Sequence, residues 1–183
     1  MKYNYKYLPK FYYDSILEIP YRMFYQQGIK ALFFDLDNTL ILPKAKKLDE
    51  HIQVFLQKIS LKFKVGIISN ASFKKQKRIL NDRYFYIDLA WYRKKPSKWG
   101  FIQSLKFMNV NCEQSLMIGD QLTTDILGAN KMKMISILVK PLDRNNESLI
   151  TKFRRFFIER PFIKKIKKDH FPLYQQKFQD FMK

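Results

Sequence analysis

The chain is short of several residue types, and each shortage narrows what it can be. Cys112 is the one cysteine among 183 residues, so no intrachain disulfide can form and a reducing cytoplasm is the expected home. With only two histidines, His51 and His170, a zinc site of the usual His/Cys make-up is excluded. No run approaches the ~18 to 20 apolar residues that cross a bilayer. The first twenty residues lack the continuous apolar stretch of a signal peptide. No internal repeat or low-complexity linker divides the chain, and its length suits one domain with a real core. Acids are few: 16 Asp and Glu face 35 Lys and Arg, a formal net charge of +19. That excess favours phosphate-bearing partners, whether nucleic acid, anionic lipid or a small substrate. An AT-rich genome encodes the same bias toward Lys, Phe, Tyr, Ile and Asn without any partner.

Three segments follow from the patterning. Residues 1–28 form a Tyr-rich lead-in expected to pack on the core. Residues 29–140 alternate strand and helix, as in a parallel sheet covered by helices. Residues 141–183 form a basic, aromatic extension with helical spacing, in which Pro161 is expected to separate two helical pieces. Within the middle segment, strands are expected at 31–34, 65–68, 87–90, 115–118 and 135–139. Helices are expected at about 49–60, 73–80, after the capping Ser97, and 124–130.

The most informative stretch is Ala31-Leu32-Phe33-Phe34-Asp35-Leu36-Asp37-Asn38-Thr39. Four apolar residues read as a buried strand, and two carboxylates follow where the strand ends. Alternate residues of a strand face the same side, so Asp35 and Asp37 can address one small volume. In open parallel sheets that volume is the ligand crevice. Paired carboxylates there suit a hard cation such as Mg2+ and leave an oxygen for nucleophilic attack. An Asx-rich turn is the plainer reading of the same residues.

Three more motifs fall behind predicted strands. Ser69-Asn70 couples a hydroxyl to a turn whose amides can hold an oxyanion. Lys95, before Pro96, offers a point charge for phosphate. Gly119-Asp120-Gln121-x-x-Thr124-Asp125 combines a sharp exit with two further carboxylates. Each alone is a common surface feature, but the ordered set is not.

That set resembles the haloacid dehalogenase (HAD) superfamily of phosphohydrolases over residues 29–140. The Leu8-Pro9 and Ile19-Pro20 pairs, the Gly119–Asn130 run and Val139-Lys140-Pro141-Leu142 are similar to the YqeG-like group of subfamily IIIA. That group is related to phosphatidylglycerophosphate phosphatases. The resemblance implies a three-layer Rossmann-type α/β sandwich. Asp35 would be the nucleophile and Asp37 the general acid and base. Mg2+ would be held by Asp35, Asp120 and the Asp37 backbone carbonyl. Ser69, the Asn70 amide and Lys95 would hold the phosphoryl group, with Thr39 and Asp125 in support. Ala71 departs from the second Asn often found in the family's second motif.

Thr39–Val65 and Ser72–Lys95 are each too short for a folded cap domain, so the crevice is expected to be open to large or surface-borne substrates. In the extension, cations such as Lys152, Arg154, Arg155 and Arg160 are interleaved with Phe153, Phe156 and Phe157. These suit a peripheral position on the inner face of a membrane, or a helix that covers the sheet with its lysines in water. The expected activity is Mg2+-dependent hydrolysis of a phosphate monoester, with phosphatidylglycerophosphate implied by the resemblance. A phosphoprotein, a nucleic-acid end or a soluble metabolite as substrate remain open, as does a non-catalytic RNA- or ribosome-binding module.

Overall fold

A computed structural model describes residues 5–182 of the chain; the first four residues of the lead-in lie outside it. Six strands form one parallel sheet: β1 (Phe11–Tyr13), β2 (Ala31–Phe34), β3 (Lys64–Ile67), β4 (Phe85–Tyr86), β5 (Ser115–Gly119) and β6 (Ile135–Val139). The spatial order is β1-β6-β5-β2-β3-β4. From β2 the chain winds outward through β3 and β4, then returns to build β5 and β6 on the other side. The reversal lies between β2 and β5, whose carboxyl ends therefore flank the crevice of the sheet.

The strands at the centre are apolar on both faces because helices cover both. Leu32 and Phe34 face a core shared with Phe24 of α1 (Tyr21–Gln26), Leu56 and Ile59 of α2 (Glu50–Ser60) and Ile79 of α3 (Phe73–Leu80). Ala31 and Phe33 face the opposite core, with Phe101, Leu105 and Met108 of α4 (Lys98–Met108) and Ala129 of α5 (Leu127–Met132). The helix limits follow local chemistry. Asp49, Ser72 and Ser97 accept hydrogen bonds from the first-turn amides of α2, α3 and α4. Asn81 and Asn109 close α3 and α4 in the left-handed conformation, both at φ 47°.

Three expectations need correcting. The short strand expected at 87–90 lies earlier, at Phe85–Tyr86, where it hydrogen-bonds to Gly66 and Ile67 of β3. The lead-in does more than lie against the sheet: Phe11–Tyr13 pairs with Ile137–Val139 as an edge strand. Pro161 does not separate two helices. Helical backbone runs from α6 (Leu149–Arg154) through a wider π-type turn (Arg155–Glu159) into α7 (Arg160–Asp169). The π turn, directly before Pro161, takes up the hydrogen-bond register that proline disrupts. The break comes at His170, before α8 (Phe171–Lys177) with its own Pro172.

The extension buries Ile163, Ile166, Phe178 and Phe181 against Leu122, Ile126 and Leu138. No separate cap domain interrupts the described residues, because the spans from the first motif to Lys95 hold only α2, β3, α3, β4 and connecting turns. Among the described residues, no helix is long and apolar enough to cross a membrane.

Candidate active site

The carboxyl ends of β2, β3 and β5 open into a cleft of about 520 Å³, lined by Asp35, Asp37, Ser69, Asn70 and Lys95 among others. Asp35 follows β2 directly and its backbone amide still donates to Ile118 of β5, at 2.9 Å. The sheet therefore holds this residue in place. Lys95 Nζ bridges Asp35 Oδ1 at 2.7 Å and Asp125 Oδ1 at 2.6 Å, and all three groups are buried. Asp35 itself lines the cleft.

Asn70 holds the lysine's backbone from both sides. Lys95 N donates to Asn70 Oδ1 at 2.7 Å, and Asn70 Nδ2 donates to Lys95 O at 3.1 Å. Its side chain is thus a strut for the Lys95 loop. Ser69 Oγ caps the same turn, accepting from Ala71 N at 3.2 Å.

Asp35 and Asp37 both line the cleft but divide. The carboxylates that gather within 4.8 Å of one another are Asp35, Asp120 and Asp125. The Asp37 carboxylate instead pairs with Lys75 of α3, which also donates to Pro43 O at 2.8 Å. Asp120 is fully buried beneath the cleft. Arg155 holds its Oδ2, and the Thr39 hydroxyl approaches Oδ1 at 3.5 Å.

Asp125 lies in the π-type turn Leu122–Ile126 that precedes α5, and its Oδ2 accepts from Gln121 N at 3.0 Å. The approach requires glycine at 119: a Cβ there would fall 2.4 Å from the Asp125 carboxyl group. Gly119→Ala should therefore displace Asp125 and cost about 1–3 kcal/mol, read by urea unfolding. Wild-type stability in that variant would show that the turn can yield.

Arg155 is the main residue that the sequence reading misplaced. One of the cations interleaved with phenylalanines in the extension, it is buried at the floor of the site. It binds Asp120, Glu147 at 2.7 Å and Glu159 at 3.0 Å, and also donates to Asp120 O at 3.2 Å. Glu147 in turn accepts from Asn38 Nδ2 at 3.2 Å, and Asn38 Oδ1 accepts from Asp143 N at 2.9 Å. Asn38 adopts φ 65°, a conformation asparagine tolerates. The extension is thus tied to the first motif. Lys75 was also missed. Its only local sign was a position three residues after the capping Ser72.

Charge does not balance here. Asp35, Asp120, Asp125, Glu147 and Glu159 are five buried acids, against the two buried bases Lys95 and Arg155. Burial pushes the Asp35 carboxyl up to about 7 against the pull of Lys95. Burial also raises Asp120 well above the usual carboxylate range, although Arg155 opposes the shift. Burial acts to lower Lys95, but the charges of Asp125 and Asp35 outweigh it and keep the ammonium protonated. A cluster of oxygen ligands with surplus negative charge is the donor set a hard divalent cation takes. The residues fit Mg2+.

Comparison with known proteins finds likenesses in sequence and in fold. Residues 92–150 match a family model described as HAD-hydrolase-like. Over 150 residues the chain is 29% identical to a Bacillus subtilis (strain 168) protein named probable phosphatase YqeG, covering 81% of this chain and 86% of that one. Two solved structures share the fold. An uncharacterized protein from Listeria monocytogenes serotype 4b aligns with a TM-score of 0.50 and 21% identity, over 66% of this chain and 86% of the other. The HAD family enzyme bt-2542 of Bacteroides thetaiotaomicron aligns with a TM-score of 0.51 and 13% identity, over 64% and 96%. The fold is that of HAD-type structures, and residues 92–150 are similar to HAD-like hydrolases.

Proposed function

We propose that this chain is a phosphatase that hydrolyses phosphate monoesters through an aspartyl-phosphate on Asp35, with Mg2+ as cofactor and phosphatidylglycerophosphate as substrate. One observation carries the proposal. Asp35 lines the crevice at the end of β2, with its Oδ1 held by the Lys95 ammonium at 2.7 Å. A buried nucleophile held in one orientation needs little reorganisation to attack.

The chain's residues can divide the chemistry as follows. An Asp35 carboxylate oxygen attacks phosphorus while the ester P–O bond breaks. Asp37, once parted from Lys75 and protonated, would give its proton to the departing alkoxide, a contribution typically worth ~10²–10⁴-fold. Asp37 then takes a proton from water as the water oxygen attacks phosphorus. The acyl-phosphate bond breaks, freeing Asp35 and inorganic phosphate. Lys95 places a fixed positive charge beside the nucleophile throughout. Ser69 Oγ and the Asn70 backbone amide would bind phosphoryl oxygens. Mg2+, held by Asp35, Asp120 and the Asp37 carbonyl with Asp125 beside them, would neutralise charge on the phosphoryl oxygens. The phosphatidylglycerophosphate assignment rests on the sequence resemblance and on a cleft with no cap domain over it.

The test is phosphate release from phosphatidylglycerophosphate in vesicles, with p-nitrophenyl phosphate as the soluble comparison, with and without Mg2+. Turnover of the lipid that vanishes on chelation is expected. Hydrolysis of the soluble ester alone would remove the lipid assignment. Metal binding has its own readout, because an ion that binds only the folded chain stabilises it by ~2.7 kcal/mol at a hundredfold excess over Kd. Mg2+ should raise the melting temperature, and an unchanged one would count against the metal site.

A further inference from the structure

Segment 149–159 is amphipathic the wrong way round. The side chains it buries are Arg155 and Glu159, while Leu149, Ile150, Phe153, Phe156 and Phe157 stand in water. Leu149 is 83% exposed and Phe153 60%. The phenylalanines form one patch: ring centroids lie 4.4 Å apart for Phe153 and Phe157, and 4.9 Å for Phe156 and Phe157. Contiguous exposed apolar surface of this kind marks an interaction site, unlike single exposed residues. The patch borders the cleft, since Ile150 and Arg154 line its wall, and Trp91, 83% exposed, lines the cleft as well.

We propose that this rim docks on an anionic lipid bilayer, with the Leu149–Phe157 stripe in the interface and the cleft opening toward head-group phosphates. The claim about what reaches the cleft rests on the phosphatase reading above; the docking itself rests on the surface alone. Charge selects the occupant. Between Ser148 and Lys168 the one acid is Glu159, buried and paired with Arg155, so the charges this segment turns to solvent are all positive. The Arg160 guanidinium lies 5.9 Å from the centre of the Phe156 ring, which places cation and aromatic together. Basic residues beside an apolar helix face are what an anionic interface attracts. A second copy would instead press together two surfaces of like charge, each on a chain of net charge +19.

The test is sedimentation of the full chain with vesicles of equal parts phosphatidylglycerol and phosphatidylcholine, against vesicles of phosphatidylcholine alone. Wild type should pellet with the anionic vesicles only. The double variant Phe153→Ser/Phe157→Ser, altered at exposed side chains outside the cleft lining, should bind about tenfold more weakly or worse. It should hydrolyse p-nitrophenyl phosphate as wild type does. Tryptophan emission should shift to the blue on adding anionic vesicles, and the shift should be lost in Trp91→Phe. Asp35→Asn should still pellet, which separates docking from catalysis: failure of turnover leaves this result standing, and the reverse holds as well. Wild type left in the supernatant, or a double variant that pellets like wild type, would overturn the proposal. So would a concentration-dependent dimer that dissociates in the double variant, since that assigns the face to a second copy.

Discussion

Asp35→Asn is expected to abolish phosphate release while leaving the protein folded. The amide cannot form the acyl-phosphate, and losing a covalent nucleophile costs on the order of 10⁴–10⁶-fold in turnover. Stability should be unharmed or improved, because the change removes one of five buried acids set against two buried bases. Lys95 keeps its second partner, Asp125, at 2.6 Å. The two readouts pull apart in a useful way: thermal unfolding should match or exceed wild type while single-turnover phosphate release falls to background. Turnover near wild type would sink the nucleophile assignment. A folded variant without turnover would also exclude general unfolding as the cause.

Arg155→Met is expected to do the opposite kind of damage. The guanidinium is the one buried cation that contacts Asp120, Glu147 and Glu159. Removing one partner of a buried ion cluster leaves the others uncompensated, which typically costs ~3–5 kcal/mol. Urea unfolding in metal-free buffer measures it. Arg155→Lys should recover only part, because an ammonium cannot reproduce the planar fork that reaches three acids at once. Adding Glu159→Gln to Arg155→Met should return some stability by removing surplus charge. If Arg155→Met unfolds with wild-type stability, the acids are neutralised by some other means and the floor of the site has been misread.

These variants also show where sequence reasoning reached and where it stopped. Asp35, Asp37, Ser69 and Asp120 could be placed together from sequence because each follows an apolar run that forms a buried strand, and strand ends in a parallel sheet converge on one crevice, whereas Lys95 follows a turn at Trp91–Arg93 and not the strand expected before it. The helix limits were legible for a similarly local reason. Asp49, Ser72 and Ser97 satisfy amides within their own first turn, and Asn81 needs only its own backbone to stop α3. The edge strand Phe11–Tyr13 was not legible: three aromatic residues flanked by Lys10 and Asp14 show no alternation, and its pairing depends on β6, more than a hundred residues away. Lys75 looked like any surface lysine of a basic helix until Asp37 was placed opposite it.

Arg155 marks the limit most clearly. In sequence it is one cation in a row of them, next to Arg154 and close to Lys152 and Arg160, and periodicity cannot say which one turns inward. A π-type turn sets the rotation of the helix at that point, and buried acids from residues 120, 147 and 159 select the guanidinium as their counter-charge. The same rotation that buries Arg155 leaves Phe153 and Phe157 outside. Sequence alone determined the parallel α/β layering, the order of the motifs and the chemistry available at the crevice, because strand burial and capping act within a few residues. Tertiary structure alone decided which carboxylates meet, which cation neutralises them and which face of the extension meets solvent, because those depend on distances between segments that are far apart in the chain.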